Sequence, residues 1–553
     1  MSTAALSDHE KDACATEAVV HEVASAKPEP IARKSLEFWL VFPAICVPLF
    51  LAALEYTAVS SALPTIVHDL NGDDFVWVAS AYALAATALQ PAAGGMAQIF
   101  GRRATLSFSL FLFALGSALC GAAQSMDWLI AARTVQGAGG GALLNVANIV
   151  ISDLVPLRER PLYNSITGVT WAIATGIGPL VGGGLAQIGQ WRWLFYLNLP
   201  ITGVAALFIV LFLKLPTPPG TFREKMARMD WIGNIMIIAS STACVIALSW
   251  GGVRYPWSSA RVLAPLVLGG CGLCAALLYE ARFAKEPLVP FSLFTNRTSV
   301  SGYIQTFIGP MMTMSILYFG ATYFQACKGA SPGHAGLDLF ACSATIGPVL
   351  LLTGFWIAYT KTYRVQLWAG WACFTAAMAG MSTVHADTPV GVPIGLFVLA
   401  CVGGGLVFAS AYYPVLAPLP ATSNAPAMAF FAFCRSFAGV WAVSIGTAVL
   451  QTQLTHRLPA RFLEQFPDGV AIAYSAIPLI PTLDEPLRTE VQKAFADSII
   501  VIWQVLTGLS GFALLASFAM KGLPLHTQMD KRWALENGKK KPAEAEVEEK
   551  TSV

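Results

Sequence analysis

The chain carries little charge. Asp, Glu, Lys and Arg make up 12% of its 553 residues, against about 25% in an ordinary soluble protein, and the formal net charge is only +2. So small an excess points to no nucleic-acid partner. The chain also lacks the short motifs of several chemistries. There is no G-x-x-x-x-G-K-[ST] phosphate loop for ATP, no H-E-x-x-H, and no G-x-S-x-G nucleophile elbow, which argues against a primary pump or a membrane enzyme. No zinc-type Cys/His spacing appears, so no metal and no cofactor are expected. Eleven cysteines are scattered mainly through apolar stretches. Cys271 and Cys274 form a C-x-x-C pair, but in CGLCAALLY they lie one helical turn apart and read as small packing residues. The first residues, with Glu10, Lys11, Asp12 and Glu17, lack the basic n-region and short apolar core of a cleaved signal peptide, so insertion through the first span is expected.

What the chain has is apolar length. Hydrophobic residues make up 56% of it and the mean hydropathy is +0.61. Apolar runs long enough to cross a hydrocarbon core of about 30 Å recur along the chain. They number fourteen, centred near Val47, Ala86, Phe113, Val146, Ala174, Phe208, Ile238, Gly269, Met314, Leu350, Ala376, Ala400, Val440 and Val505. Most lysines and arginines fall in the tails and in every second loop, such as Gly101 to Arg103, Arg158 to Arg160 and Lys214 to Arg228. By the positive-inside rule that side is cytoplasmic and holds both termini. The sequon Asn296-Arg297-Thr298 falls on the same side, and a glycan there would overturn this topology.

An internal repeat is visible. GGGALLNVANIVISDLVP, from Gly139 to Pro156, and GGGLVFASAYYPVLAPLP, from Gly403 to Pro420, share three glycines and a closing proline at equal spacing. The expected fold class is therefore an all-α polytopic membrane protein built from two six-helix halves, residues 38–214 and 299–523. A cytoplasmic linker and two inserted helices occupy 215–298, and disordered cytoplasmic tails cover 1–37 and 524–553. The long outer loop, about 452–497, ends in LRTEVQKAFADS, whose Val491, Ala494 and Phe495 are spaced for an amphipathic surface helix. Parallel duplicated halves around a central path suit a secondary transporter.

A few residues are out of place in so apolar a chain. Arg133 opens RTVQGAGGGALLN in or at the edge of the fourth run, and Gln136, Asn145 and Asn148 extend a polar side. It is either a functional cation or an interfacial residue snorkelling beside Asp127. Glu55, in FLAALEYTAVSSALPTIV, sits mid-span. Burial favours its neutral form and a cation such as Arg133 its charged form, so it either carries a coupling proton or is a structural hydrogen-bonding acid. Arg435, in FFAFCRSFAGVWAVSIG, meets either substrate or a carbonyl. In GGMAQIFGRRAT, Arg102 and Arg103 follow a tight turn at Gly101 and are placed to meet partly negative helix ends, as a switch, as a positive-inside anchor, or as both. In WAIATGIGPLVGGGLAQ, Gly176, Gly178, Gly182 and Gly183 let another backbone approach, and Pro179 removes a helical hydrogen bond.

These segments resemble the major facilitator superfamily, specifically its fourteen-span drug:H+ antiporter branch, and look most like fungal members. LEYTAVSSALPTI resembles its first-span motif, GGMAQIFGRR its loop motif, and LIAARTVQGAGGG its fourth-span arginine motif. Ser165, Ala174, Gly178, Pro179, Gly182 and Gly183 resemble the fifth-span antiporter motif, and WRWLFYLNLP the sequence leading into span six. The resemblance implies that Arg133 takes part in proton coupling with Glu55, which stands where the family usually has aspartate. It implies that Gly94, Gly101, Arg102 and Arg103 control the conformational switch, and that Gly178 and Pro179, with Gly182 and Gly183, shape the interface between the halves. Gln98 stands where an aspartate is common, so a charged latch is missing there. Ser165 and Ala174 replace glycines.

The expected function is export of an amphipathic small organic molecule in exchange for protons, from a monomer in the plasma membrane or alternatively the vacuolar membrane. Its partners are that substrate and membrane lipid, with the proton as the coupling ion. Substrate contacts are expected from Gln136, Asn145 and Arg435 and, near the midplane, from Tyr56, Trp171, Tyr303 and Phe307. The rival expectation is proton-coupled uptake of a nutrient such as a siderophore on the same fold; a non-transporting receptor on that fold is a further alternative.

Overall fold

The computed structural model describes residues 36–525 except 71–75, 158, 252–254, 285–288, 331, 421–422 and 465–475. Both terminal tails expected to be disordered therefore lie almost wholly outside the described residues. Within them the chain is helical, and an isolated bridge between Gly251 and Tyr255 is the only β-type pairing among the described residues. Among the described residues, ten helices are long and apolar enough to cross a membrane.

Helices α1 (Leu36–Leu70), α2 (Val76–Ala88), α3 (Gln90–Ile99), α4 (Arg102–Gly121), α5 (Met126–Leu154), α6 (Arg160–Gln187) and α7 (Asn198–Phe212) form a first group. A break at Leu89 separates α2 from α3, where Pro91 lacks the N–H that would continue the ladder. Gly101, at φ +93°, makes the turn into α4, a backbone conformation that favours glycine. Ser125 caps α5 by accepting from the Trp128 N–H at 3.3 Å.

Two helices follow, α8 (Trp231–Trp250) and α9 (Ala260–Arg282). They pack on each other, and α8 also rests on α2 and on a helix of the second group. That group comprises α10 (Arg297–Lys328), α11 (Pro332–Thr360), α12 (Arg364–Met381), α13 (Gly391–Ser410), α14 (Asn424–Arg457) and α15 (Leu487–Phe518). Asn296, the sequon asparagine, is the cap of α10: its side chain accepts from the Thr298 N–H at 2.8 Å.

The two glycine triplets pack alike. A methyl group at Gly139 would strike the α4 backbone at Phe113, and one at Gly141 the α2 backbone at Ala86. Its counterpart Gly403 abuts α12 at Gly370 and Phe374, and Gly405 abuts Val349 of α11. Each triplet thus brings its helix against two neighbours that occupy matching places in the chain.

The segment expected as a separate surface helix differs. Residues from Leu487 run without interruption into α15, and Val491, Ala494 and Phe495 are buried. The apolar stripe of Val491, Ala494 and Phe495 packs on protein, and nothing in 487–518 breaks the helix.

Candidate functional site

Glu55 and Arg133 meet. The Arg133 guanidinium donates to Glu55 Oε1 at 2.6 Å, and both side chains are at most 2% exposed. The same nitrogen reaches Gln136 Oε1 at 2.6 Å, and Nε donates to the Val78 carbonyl of α2 at 3.0 Å. The other carboxylate oxygen accepts from Asn198 Nδ2, at the start of α7, at 2.7 Å. Gln136 Nε2 donates to Ser117 Oγ of α4 at 2.9 Å. The guanidinium lies over the Tyr82 ring, 4.4 Å from its centroid. Five helices of the first group thus build one buried network.

Small residues make it possible. A methyl group at Gly116 would strike the Gln136 backbone, and one at Gly137 the Tyr82 carbonyl, so α5 can sit close to both α4 and α2. A buried pair of this kind is held by its geometry. Removing one partner leaves an uncompensated charge, at a cost of about 3–5 kcal/mol. A protonated Glu55 would keep its shape in the site but not the charge that Arg133 pairs with.

A second cluster lies at the α3–α4 turn. Arg102 is buried, with Nε 2.8 Å from Asp153 Oδ2 of α5 and NH1 donating to the Ala97 carbonyl at 2.9 Å. Arg103 donates to the Val210 carbonyl at 2.9 Å. Ala97 and Val210 lie in the last turns of α3 and α7, where helix carbonyls are partly negative and unpaired. The carboxylate that Arg102 meets is thus Asp153 of α5. Arg160, at the start of α6, is likewise buried and donates from Nε to the Val155 carbonyl at 2.8 Å.

Two of the fifth-span glycines face α1. A methyl group at Gly178 would collide with Thr57, and one at Gly182 with the Ala58 carbonyl, both on α1. Their close approach is therefore inside the first group, between α1 and α6. Gly176 and Gly183 have no neighbour within 4 Å of an added methyl. The Pro179 side chain lies outside the described residues, although the helix assignment runs through its position.

The two groups meet along α3 and along α6. Gly94 of α3 lies against Ala429 of α14, and Gln90 Nε2 donates to Ser436 Oγ at 2.9 Å. Helix α6 packs on α11, with Gly168 facing Leu350.

The description Major Facilitator Superfamily matches residues 45–443. The chain belongs to this superfamily. Its members' fold and function are those of transporters, not enzymes. The chain is 39% identical over 518 residues to the "MFS-type efflux pump LUC4" of Fusarium sp, covering 92% of each. It is 38% identical over 522 residues to "Efflux pump FUS6" of Gibberella fujikuroi, covering 93% of this chain and 94% of the relative. A solved proton:xylose symporter of the superfamily has the same fold, with a TM-score of 0.55 at 13% identity, covering 88% of this chain and 98% of that one.

In this superfamily transporter the remaining candidates are dispersed. Gln136 belongs to the buried network, its amide already engaged by Arg133 and Ser117. Asn145 donates to the Gln90 carbonyl at 2.6 Å, while its Oδ1 and Gln90 Oε1 are buried without a partner among the described residues. Trp171 packs beside Ala53 and Leu54 of α1. Tyr303 stands two turns into α10, buried, its hydroxyl donating to the Ala427 carbonyl at 3.3 Å. Phe307 packs edge-on to Phe437, with centroids 6.5 Å apart. The Tyr56 side chain lies outside the described residues. Arg435 stacks on Phe408, its Cζ 3.5 Å from the ring centroid.

Sequence reading overlooked Asn198, Ser117 and Asp153. Asn198 was in view within WRWLFYLNLP, but an asparagine before Leu-Pro reads as an ordinary helix start. Asp153 near a run's end reads as interfacial. Each is a polar residue inside an apolar run, and that was the available signal.

Proposed function

We propose that this transporter exports an amphipathic small organic molecule in exchange for protons, by alternating access of two six-helix groups within fourteen spans. The ten apolar helices, together with the helical stretches 76–99, 297–328, 332–360 and 364–381, supply the fourteen. Both termini are then cytoplasmic, and the plasma membrane is the expected location. The efflux names of the Fusarium and Gibberella relatives support export.

The observation that carries the proton half is the Glu55–Arg133 pair with its second bond to Asn198. Protonating Glu55 removes the negative partner and frees Arg133, Gln136 and Asn198 to rearrange. Since α1, α2, α4, α5 and α7 all contribute to the network, its rearrangement shifts helices relative to one another. Coupling requires only that the proton bind one conformation better than the other. The contacts of Gly94 with Ala429 and of Gln90 with Ser436 tie the groups together toward the end bearing Arg102 and Arg103, which matches a state closed toward the cytoplasm.

The test is transport in proteoliposomes under an imposed pH gradient, using the substrate identified from the sensitivity profile of a deletion strain. Glu55→Gln, which keeps the shape and removes the titratable group, is expected to abolish the response to the gradient. Gradient-driven flux at the wild-type level in this variant would sink the mechanism. The direction of net flux separates export from proton-coupled uptake on the same fold.

A further inference from the structure

We infer that the transported molecule carries an acidic group, a carboxylate or similar oxyanion, received by Arg435 against the face of Phe408. Arg435 lies about 17 Å along α14 from Asn424 at 1.5 Å per residue, inside a 34-residue helix that is apolar enough to cross a membrane. A guanidinium within such a span is expensive unless it is paired or faces a water-filled path. Among the described residues no carboxylate and no hydrogen-bond acceptor pairs with it, and the contact it makes is with the Phe408 ring at 3.5 Å. Its side chain is also partly accessible, unlike the buried Arg102, Arg133 and Arg160, each of which is held by carbonyls or a carboxylate.

The place is right for a ligand. Ser436, the next residue, is hydrogen-bonded to Gln90 of the first group, so this stretch of α14 borders the seam between the groups. One turn before Phe408 on α13, Gly404 faces Phe374 and Thr313, and Gly405 faces Val349 of α11. Phe408, one turn further along α13, is 44% exposed. Stacking on the ring holds the guanidinium by a cation–π contact and leaves its edge donors free. Those donors form a planar fork that matches a carboxylate bidentately, while the aromatic face takes the apolar body beside it.

The inference deepens the transport reading by naming its substrate class, and the two can fail separately. The full-length protein in detergent is labelled with phenylglyoxal, and each arginine is followed by mass spectrometry. 1-Naphthaleneacetate and its uncharged amide are added in parallel as probes. Arg435 is expected to be labelled, and the carboxylate, not the amide, to reduce that labelling several-fold. Glu55→Gln is expected to keep this protection even where it abolishes gradient-driven transport. Failure of Arg435 to label while the exposed Arg461 does, absence of protection by the carboxylate, or equal protection by the amide would each overturn the inference. Because the readout is on the wild-type chain, it does not depend on Arg435→Gln folding.

Discussion

Two arginines lie deep in this molecule, and their surroundings differ. Arg133 has a carboxylate, an amide oxygen, a backbone carbonyl and an aromatic ring arranged around it, all from the first group of helices. Arg435, in the second group, has one aromatic ring among the described residues. A saturated cation responds to what changes inside its own network, and an unsaturated one to what arrives from outside. In the proposed exchange this contrast would divide the labour between the groups, with the proton registered at Glu55 in the first and the organic acid held at Arg435 in the second.

The largest effect that would test this contrast is on stability. Arg133→Ala strands Glu55 in a buried site and is expected to cost about 3–5 kcal/mol. Arg435→Ala removes a cation that no described residue holds by an ion pair, so its cost is expected to stay within about 1 kcal/mol. Thermal unfolding of the two purified variants measures both. Similar losses would show that Arg435 is structural after all and would break the division of labour.

Next in size is Asn198→Ala, which deletes the second hydrogen bond to the Glu55 carboxylate. A hydrogen bond to a charged group contributes about 1.5–3 kcal/mol, so a loss of that order is expected in the same unfolding measurement. Combining it with Glu55→Gln sharpens the picture, because residues in one network are non-additive. A double variant no worse than the worse single one supports a shared network, whereas full additivity places Asn198 outside it.

How far the sequence foretold this depends on the kind of contact. Glu55 and Arg133 could be paired from sequence because opposite charges in apolar runs have few ways to be satisfied other than by each other. The partners Asn198 and Ser117 could not, because neutral polar residues are common in membrane helices and spacing does not say which helix they face. The glycines at 178 and 182 show the same limit. Their lack of side chains foretold a close approach, but the partner turned out to be Thr57 and Ala58 of α1 and not the opposite group. The loop arginines were easier, since the last carbonyls of any helix are known acceptors, and Ala97 and Val210 are such carbonyls. The repeat was readable because three adjacent glycines serve one purpose, close helix packing, and both triplets serve it on corresponding neighbours.

The smallest predicted effect probes the ring beneath Arg435. Phe408→Leu keeps an apolar side chain at the position and removes the π face. A cation–π contact contributes about 0.5–2 kcal/mol, and here that energy orients the guanidinium instead of holding the fold. The expected result is unchanged thermal stability, with the concentration of 1-naphthaleneacetate needed to protect Arg435 rising by a factor of about 2–30. An unaltered midpoint would make Phe408 a packing residue only and leave Arg435 to act as a free charge. A fall in stability with no change in protection would assign the ring to the fold, and the contrast between the two arginines would then rest on hydrogen bonding alone.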